Sequence, residues 1–272
     1  MDVMKKTLYT LLAGLFLLLG ASEARAQHTF GGYVGYGMST ARFYPQQETR
    51  SVWGMYTTGL SWRHYTKHRF VGGFGLDLEY LQSAYSYAPY ASITEFEKDY
   101  LWYTRRINTI SLPVIWQPHF YIAERVRIYL EAMATFSYRF GGTYENQIAK
   151  DAGQAHWKGD YPYKTARDNR WGYGLAGGGG FAFLIGQWEV GARVRYYFGY
   201  GEILRNRNKY AGNTIDGPEN PFWGTPLRSP LDNLMFHLTL SYRFGKEGFE
   251  EWKHAKRKRE KRSAEFNYSA AK

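Results

Sequence analysis

The sequence predicts an all-β chain: an eight-stranded antiparallel up-and-down transmembrane β-barrel followed by a basic C-terminal tail. Three observations lead there. Apolar and polar residues alternate with period two in eight separate segments. Aromatic residues make up 19% of the 272 positions, with 25 Tyr, 17 Phe and 9 Trp beside 30 Gly, although the mean hydropathy is only −0.52. After residue 26 no run approaches the roughly 20 apolar residues of a membrane helix. A barrel needs Tyr and Trp at both lipid–water boundaries, while its lumen and outer loops are polar. That reconciles aromatic richness with a polar average.

The chain divides into 1–26, 27–245 and 246–272. Lys5 and Lys6 precede an apolar stretch from Leu8 to Leu19, and Ala24-Arg25-Ala26 stands before Gln27. This is the layout of a secretory signal, with a membrane anchor as the alternative. The formal charge is +11; the leader contributes a net +1 (Lys5, Lys6 and Arg25 against Asp2 and Glu23), leaving +10. There is no cysteine, so disulfides and thiolate metal sites are excluded, and no cofactor is implied.

The strands follow in chain order. Segment 30–41 puts Val34, Tyr36 and Met38 on one face, and 51–63 does so with Tyr56, Leu60 and Trp62. In 70–80, Phe74, Leu76, Leu78 and Tyr80 oppose Gly73, Asp77 and Glu79. Segment 106–117 carries Ile110, Leu112, Val114 and Trp116. In 126–140, Ile128, Leu130, Ala132, Ala134 and Phe136 alternate with Arg127, Glu131, Thr135 and Arg139. Segment 171–184 sets Tyr173, Leu175, Phe181 and Phe183 against a nearly bare face of Gly172, Gly174, Ala176, Gly178 and Gly180. Segment 188–198 alternates Trp188, Val190, Val194 and Tyr196 with Glu189, Arg193 and Arg195, and 234–244 alternates Leu234, Phe236, Leu238 and Leu240 with His237, Thr239 and Arg243. Each is long enough for the roughly 9–11 residues of a tilted membrane strand.

Connections alternate in length. Those at 66–68, 118–124 and 185–187 are short; those at 43–50, 83–101, 143–170 and 204–230 are long and polar. Short periplasmic turns opposite long outer loops, with an even strand count, put both termini in the periplasm. Pro113 cannot donate to a strand ladder, so either a bulge forms there or the strand begins after it.

The second face decides what kind of barrel this is. It carries Asp77, Glu79, Arg127, Glu131, Arg139, Glu189, Arg193, Arg195 and Arg243 within strand interiors. A soluble sandwich or lipocalin-like barrel would show these to water. A narrow membrane barrel would enclose them as a charge network that closes the lumen, since eight strands leave an interior just wide enough for side chains. The same groups could instead line a narrow ion path. Arg127, Glu189 and Arg243 are placed low; Asp77, Glu131, Arg193 and Arg195 nearer mid-depth. His237 faces the lumen near Thr239 and Ser241, which raises a lipid-hydrolase reading beside that of a histidine absorbed by the charges. No two histidines are spaced as metal ligands on one strand face. The glycines of 177–180 lack the Lys-Ser/Thr of a phosphate loop.

The segment RINTISLPVIWQPHFYIAERVRIYLEAMATFSYRFGG at 106–142, with Ile110, Leu112, Pro113 and Val114, resembles the PorT-like outer-membrane β-barrel proteins of Bacteroidota. RNRNKYAGN at 205–213 and RSPLDN at 228–233, leading into LTLSYRFG, are similar to the same family. The resemblance implies the barrel type. Some members take part in type IX secretion, but no motif here ties the chain to that branch. The basic tail departs from members that end at the last strand.

That tail holds Lys253, Lys256, Arg257, Lys258, Arg259, Lys261 and Arg262. A secreted barrel does not meet nucleic acid, so the expected partners are anionic phospholipid headgroups or an acidic envelope protein, with a solvated charge run as the alternative. The loop at 155–171 offers contacts to lipopolysaccharide phosphates or sugars. The expected function is non-enzymatic: an envelope structural or interaction protein, with accessory service to secretion as one form of it. A small passive pore and an outer-membrane lipid-modifying hydrolase are the rivals.

Overall fold

In the computed structural model, residues 27–44, 49–65, 72–87, 103–123, 125–165, 168–205, 228–244 and 261 are described. The elements are β1 (Gln27–Ala41), β2 (Thr49–Arg50), β3 (Val52–Tyr65), β4 (Gly73–Tyr87), β5 (Tyr103–Gln117), β6 (His119–Ala123), β7 (Val126–Asn146), α1 (Gln147–Asp151), β8 (Lys158–Asp160), β9 (Trp171–Ile185), β10 (Trp188–Gly199) and β11 (Leu231–Phe244). Eight of the strands form the wall in the order β1-β3-β4-β5-β7-β9-β10-β11, and β11 returns to β1 with His28 opposite Phe244 and Ala41 opposite Leu231. Every wall pair is antiparallel, so the sheet closes with no free edge.

Side-chain exposure follows the pleat. Trp171, Leu238 and Leu60 are 68%, 67% and 66% exposed, whereas Asp77, Arg127 and Arg195 are 0% exposed. A water-soluble barrel has the opposite arrangement, because water rewards exposed charge and penalises a continuous apolar wall. Only hydrocarbon around the wall makes this distribution favourable, and a closed barrel leaves no strand hydrogen bond unmet there. Aromatics ring the belt at both ends, with Phe30, Phe74, Trp116 and Trp188 toward one rim and Tyr36, Tyr56, Tyr173 and Tyr196 toward the other. On β9, Tyr173 and Phe183 lie about 33 Å apart along the strand at ~3.3 Å per residue. At a tilt of roughly 40° that gives a height of about 25 Å, the span of such an apolar band. The protein is a transmembrane β-barrel.

The strands outrun their sequence boundaries. β4 extends to Tyr87, into the span expected as loop, β5 begins at Tyr103, three residues before its expected start, and β7 continues to Asn146, where α1 follows and β8 folds back on it with Thr143 opposite Asp160. The expected short turn at 118–124 is mostly β6, which carries the chain past Pro118 and pairs with the start of β7. The 185–187 turn is tight, with Gly186 at φ 60°, a left-handed conformation suited to glycine. The 66–68 turn lies outside the described residues.

Pro113 forms no bulge, and the strand does not start after it. β5 runs straight through, with Pro113 opposite Thr135 of β7. On the β4 side the register holds from Glu79↔Ser111 to Leu76↔Val114, without ladder pairs at the two positions between. The missing N–H is absorbed as a local gap in hydrogen bonding rather than as an extra residue. The register shift lies instead in the β5–β7 pair, where Asn108 faces Gly141 and Thr109 faces Arg139, leaving Phe140 of β7 as the extra residue.

Candidate functional site

The lumen holds the candidate site, and its residues arrive there by strand parity. Near the short-turn rim, Arg127 of β7 pairs with Glu189 of β10 and donates to the Tyr65 hydroxyl at 2.9 Å, with its guanidinium 4.3 Å from the Tyr65 ring centre. Gln117 Oε1 accepts from Tyr65 at 3.0 Å and from Arg63 Nε at 3.2 Å, which joins this layer to the next.

The middle layer joins four strands. Asp77 of β4 is paired with Arg63 of β3, and also accepts from Arg195 of β10 at 2.9 Å. Glu131 of β7 receives Arg195 Nε at 2.7 Å and Arg193 Nη1 at 3.3 Å, with Arg63 Nη2 at 3.7 Å. Arg193 Nη2 stands 3.6 Å from Asp77. Each of the two carboxylates thus sits among the same three arginines. The ring of Tyr33 lies against this cluster, 4.2 Å from the Arg193 guanidinium carbon. Room for Arg193 comes from Gly180, where a Cβ would stand 2.6 Å from the Arg193 Cβ.

Among the described residues Glu79 makes no ion pair with an arginine. Its Oε1 accepts from Thr57 and from Tyr197, both at 2.7 Å, and lies 3.9 Å from His237 Nε2. Beyond it the lumen turns apolar, with Met55, Leu81, Ile115, Met133 and Met235 packed together. Next comes a chamber of about 50 Å³ bordered by Ser83, Thr109, Ser111, Thr135, Ser137 and Asn233. A second apolar group, Phe43, Tyr85, Ile107, Ile203, Leu204 and Leu231, fills the long-loop mouth.

The nine lumenal charges read from sequence are all buried, but they do not form one network. Asp77, Glu131, Arg193 and Arg195 meet; Arg127 and Glu189 form a second ion pair, linked to them, among the described residues, only through Tyr65, Gln117 and Arg63; Glu79 has its own partners. Arg139 is a correction. Among the described residues it pairs with no carboxylate and instead donates to the carbonyls of Asn169, Trp171, Gly201 and Glu202 at 2.9–3.2 Å, holding two outer connections. Loop carbonyls at the end of β7 lie closer to it than any acid. Arg243 likewise bonds the Gly186 carbonyl of the tight turn.

Two residues were missed. Arg63 ends its expected strand but shares parity with Thr57, which would have turned it inward. Arg105 lay one residue before the expected strand. It is 1% exposed, 3.5 Å from the Tyr161 ring centre and 3.4 Å from Asp168. His237 faces the lumen, yet neither ring nitrogen has a hydrogen-bond partner, so no serine–histidine bond is made. Among the described residues no three His, Asp or Glu converge as a metal site. Of the tail, Lys261 is exposed; Lys253, Lys256, Arg257, Lys258, Arg259 and Arg262 lie outside the described residues, as does the leader.

No protein-family model and no curated protein sequence matches the chain. It is similar to the solved structure of Neisserial surface protein A, with 10% identity, 81% of this chain and 99% of that one covered, and a TM-score of 0.39. For the attachment invasion locus protein of Yersinia pestis the values are 12%, 80%, 99% and 0.35. For a major outer membrane protein from Thermus thermophilus they are 14%, 80%, 99% and 0.43. Likeness at this level carries nothing about ligand, partner or activity.

Proposed function

We propose that this is a non-enzymatic protein of a bacterial outer membrane whose lumen is closed by its own side chains, and that it serves the envelope as a structural or interaction element. The observation that carries the reading is the middle layer, where Arg195 of β10 reaches both Asp77 of β4 and Glu131 of β7 across the interior. Charges tied to one another across a lumen this narrow are poor ligands for a passing ion. The packed long-loop mouth supports closure from the other side.

On this reading the rim holding Gln27 and Phe244 faces the periplasm and the long loops face outward. Lipopolysaccharide and lipid are the partners of the outer rim and belt. The basic tail is the periplasmic contact for anionic headgroups or an acidic envelope protein, including a secretion machine. The pattern at Ile110, Leu112, Pro113 and Val114 supports a PorT-like origin.

Single-channel recording in planar bilayers at neutral pH tests closure. The native barrel is expected to show no conductance steps. Stable ion-selective steps, abolished by Arg195→Ala or reversed in selectivity by it, would overturn the reading in favour of a pore.

A further inference from the structure

Arginine does not lose its proton inside proteins, so the arginine–carboxylate layer carries fixed charge. One lumenal pair differs. Asp77 and Glu131 each meet three arginines and Glu189 meets Arg127, whereas the basic partner of Glu79 among the described residues is His237. His237 is 2% exposed, and both ring nitrogens lack hydrogen-bond partners, as does Glu79 Oε2. A separation of 3.9 Å is too long for a direct hydrogen bond and short enough for strong Coulomb coupling in a poorly solvated interior.

The groups facing the pair come from β1, β3 and β10, and from β4 itself. Tyr33 of β1 packs edge-on against the ring, with centroids 5.3 Å apart. Thr57 of β3 and Tyr197 of β10 donate to Glu79. Arg193 is the register partner of His237, and Arg195 follows it on the same face. Asp77 precedes Glu79 on its own strand face and is held by arginines.

We propose that Glu79 and His237 form a proton-binding site inside the barrel, taking up one proton from solvent onto the imidazole so that the ring becomes a cation beside the Glu79 carboxylate. The proton adds to a ring nitrogen, no bond in the protein breaks, and the lumen gains one positive charge. That charge is attracted by Glu79 and repelled by Arg193 and Arg195, so proton uptake is transmitted to the ionic layer. Tyr197, which donates to Glu79, also borders the chamber of about 50 Å³ on the long-loop side, a volume with room for roughly three waters.

The inference deepens the closed-lumen reading but is tested separately. The full chain, folded in detergent micelles with ¹⁵N-labelled histidine, is titrated by NMR, and His237→Gln identifies the signal. His237 is expected to titrate, and Glu79→Gln to lower its proton affinity at least tenfold. Tyr197→Phe keeps the carboxylate while removing one competing donor, and is expected to raise the affinity several-fold; it serves if Glu79→Gln does not fold. A His237 midpoint unmoved by the variant that folds, or no titration at all, overturns the proposal. Conductance of the native barrel at neutral pH would overturn closure alone and leave the proton pair standing.

Discussion

Arg195 donates to Asp77 at 2.9 Å from the opposite side of the lumen, joining β10 to β4 rather than to a strand beside it. Both side chains are 0% exposed. The pair therefore acts as a strut, and its worth lies in what happens when half of it is taken away. A buried ion pair gains little over well-packed apolar side chains, but a buried charge left alone is costly.

Asp77→Ala is expected to destabilise the folded barrel by about 3–5 kcal/mol, because Arg63 and Arg195 are left with Glu131 as their nearby acid. Replacing Asp77, Arg63 and Arg195 together by apolar residues of similar volume is expected to cost less than the single change. Urea unfolding of the refolded barrel in lipid vesicles measures both.

Leu238→Arg places a charge on the lipid-facing wall between the aromatic rings, at a site now 67% exposed. The expected loss is about 2–4 kcal/mol if that site lies near the bilayer midplane, falling toward the boundaries. The same unfolding assay, with Tyr200→Arg near the rim as comparison, reads the depth dependence.

How much of this was legible in the sequence depended on the physical signal each feature leaves. Period two is intrinsic to a strand, so the inward sides of Asp77, Glu131 and Arg195 could be read locally. Which of them meet could not. That depends on the shear of the closed sheet, which brings together residues 118 positions apart in the Arg195–Asp77 contact. Strand ends were the weakest point, and Arg63 and Arg105 were lost there. The loop partners of Arg139 and Arg105 carry no periodicity, and backbone carbonyls leave no trace in a sequence at all.

Gly180 and Gly177 lie on the same strand but on opposite faces. A Cβ at Gly180 would stand 2.4 Å from the Ala192 carbonyl oxygen, whereas one at Gly177 would come no nearer than 3.7 Å to its nearest neighbour, the Glu131 carbonyl oxygen. Gly180→Val is expected to cost about 1–3 kcal/mol through overpacking, and Gly177→Ala to be close to neutral. Heat-induced unfolding followed by gel mobility distinguishes them.

Arg139→Ala is expected to leave the wall intact while freeing the segments at 169–171 and 201–202 that its guanidinium holds. Limited proteolysis of the barrel in vesicles should then cut there at least several-fold faster than in the native chain, with unchanged β-sheet circular dichroism. Equal cleavage rates would refute this role.

His28 and Phe244 stand opposite each other in neighbouring strands, so the first and last strands are joined as any other two are. Mechanically the wall is a ring, and the place where the polypeptide enters it is arbitrary. A short linker from Phe244 back to Gln27 with a new opening cut into a long outer connection should yield the same ring from a permuted gene. The order of strand synthesis would change while the finished object would not.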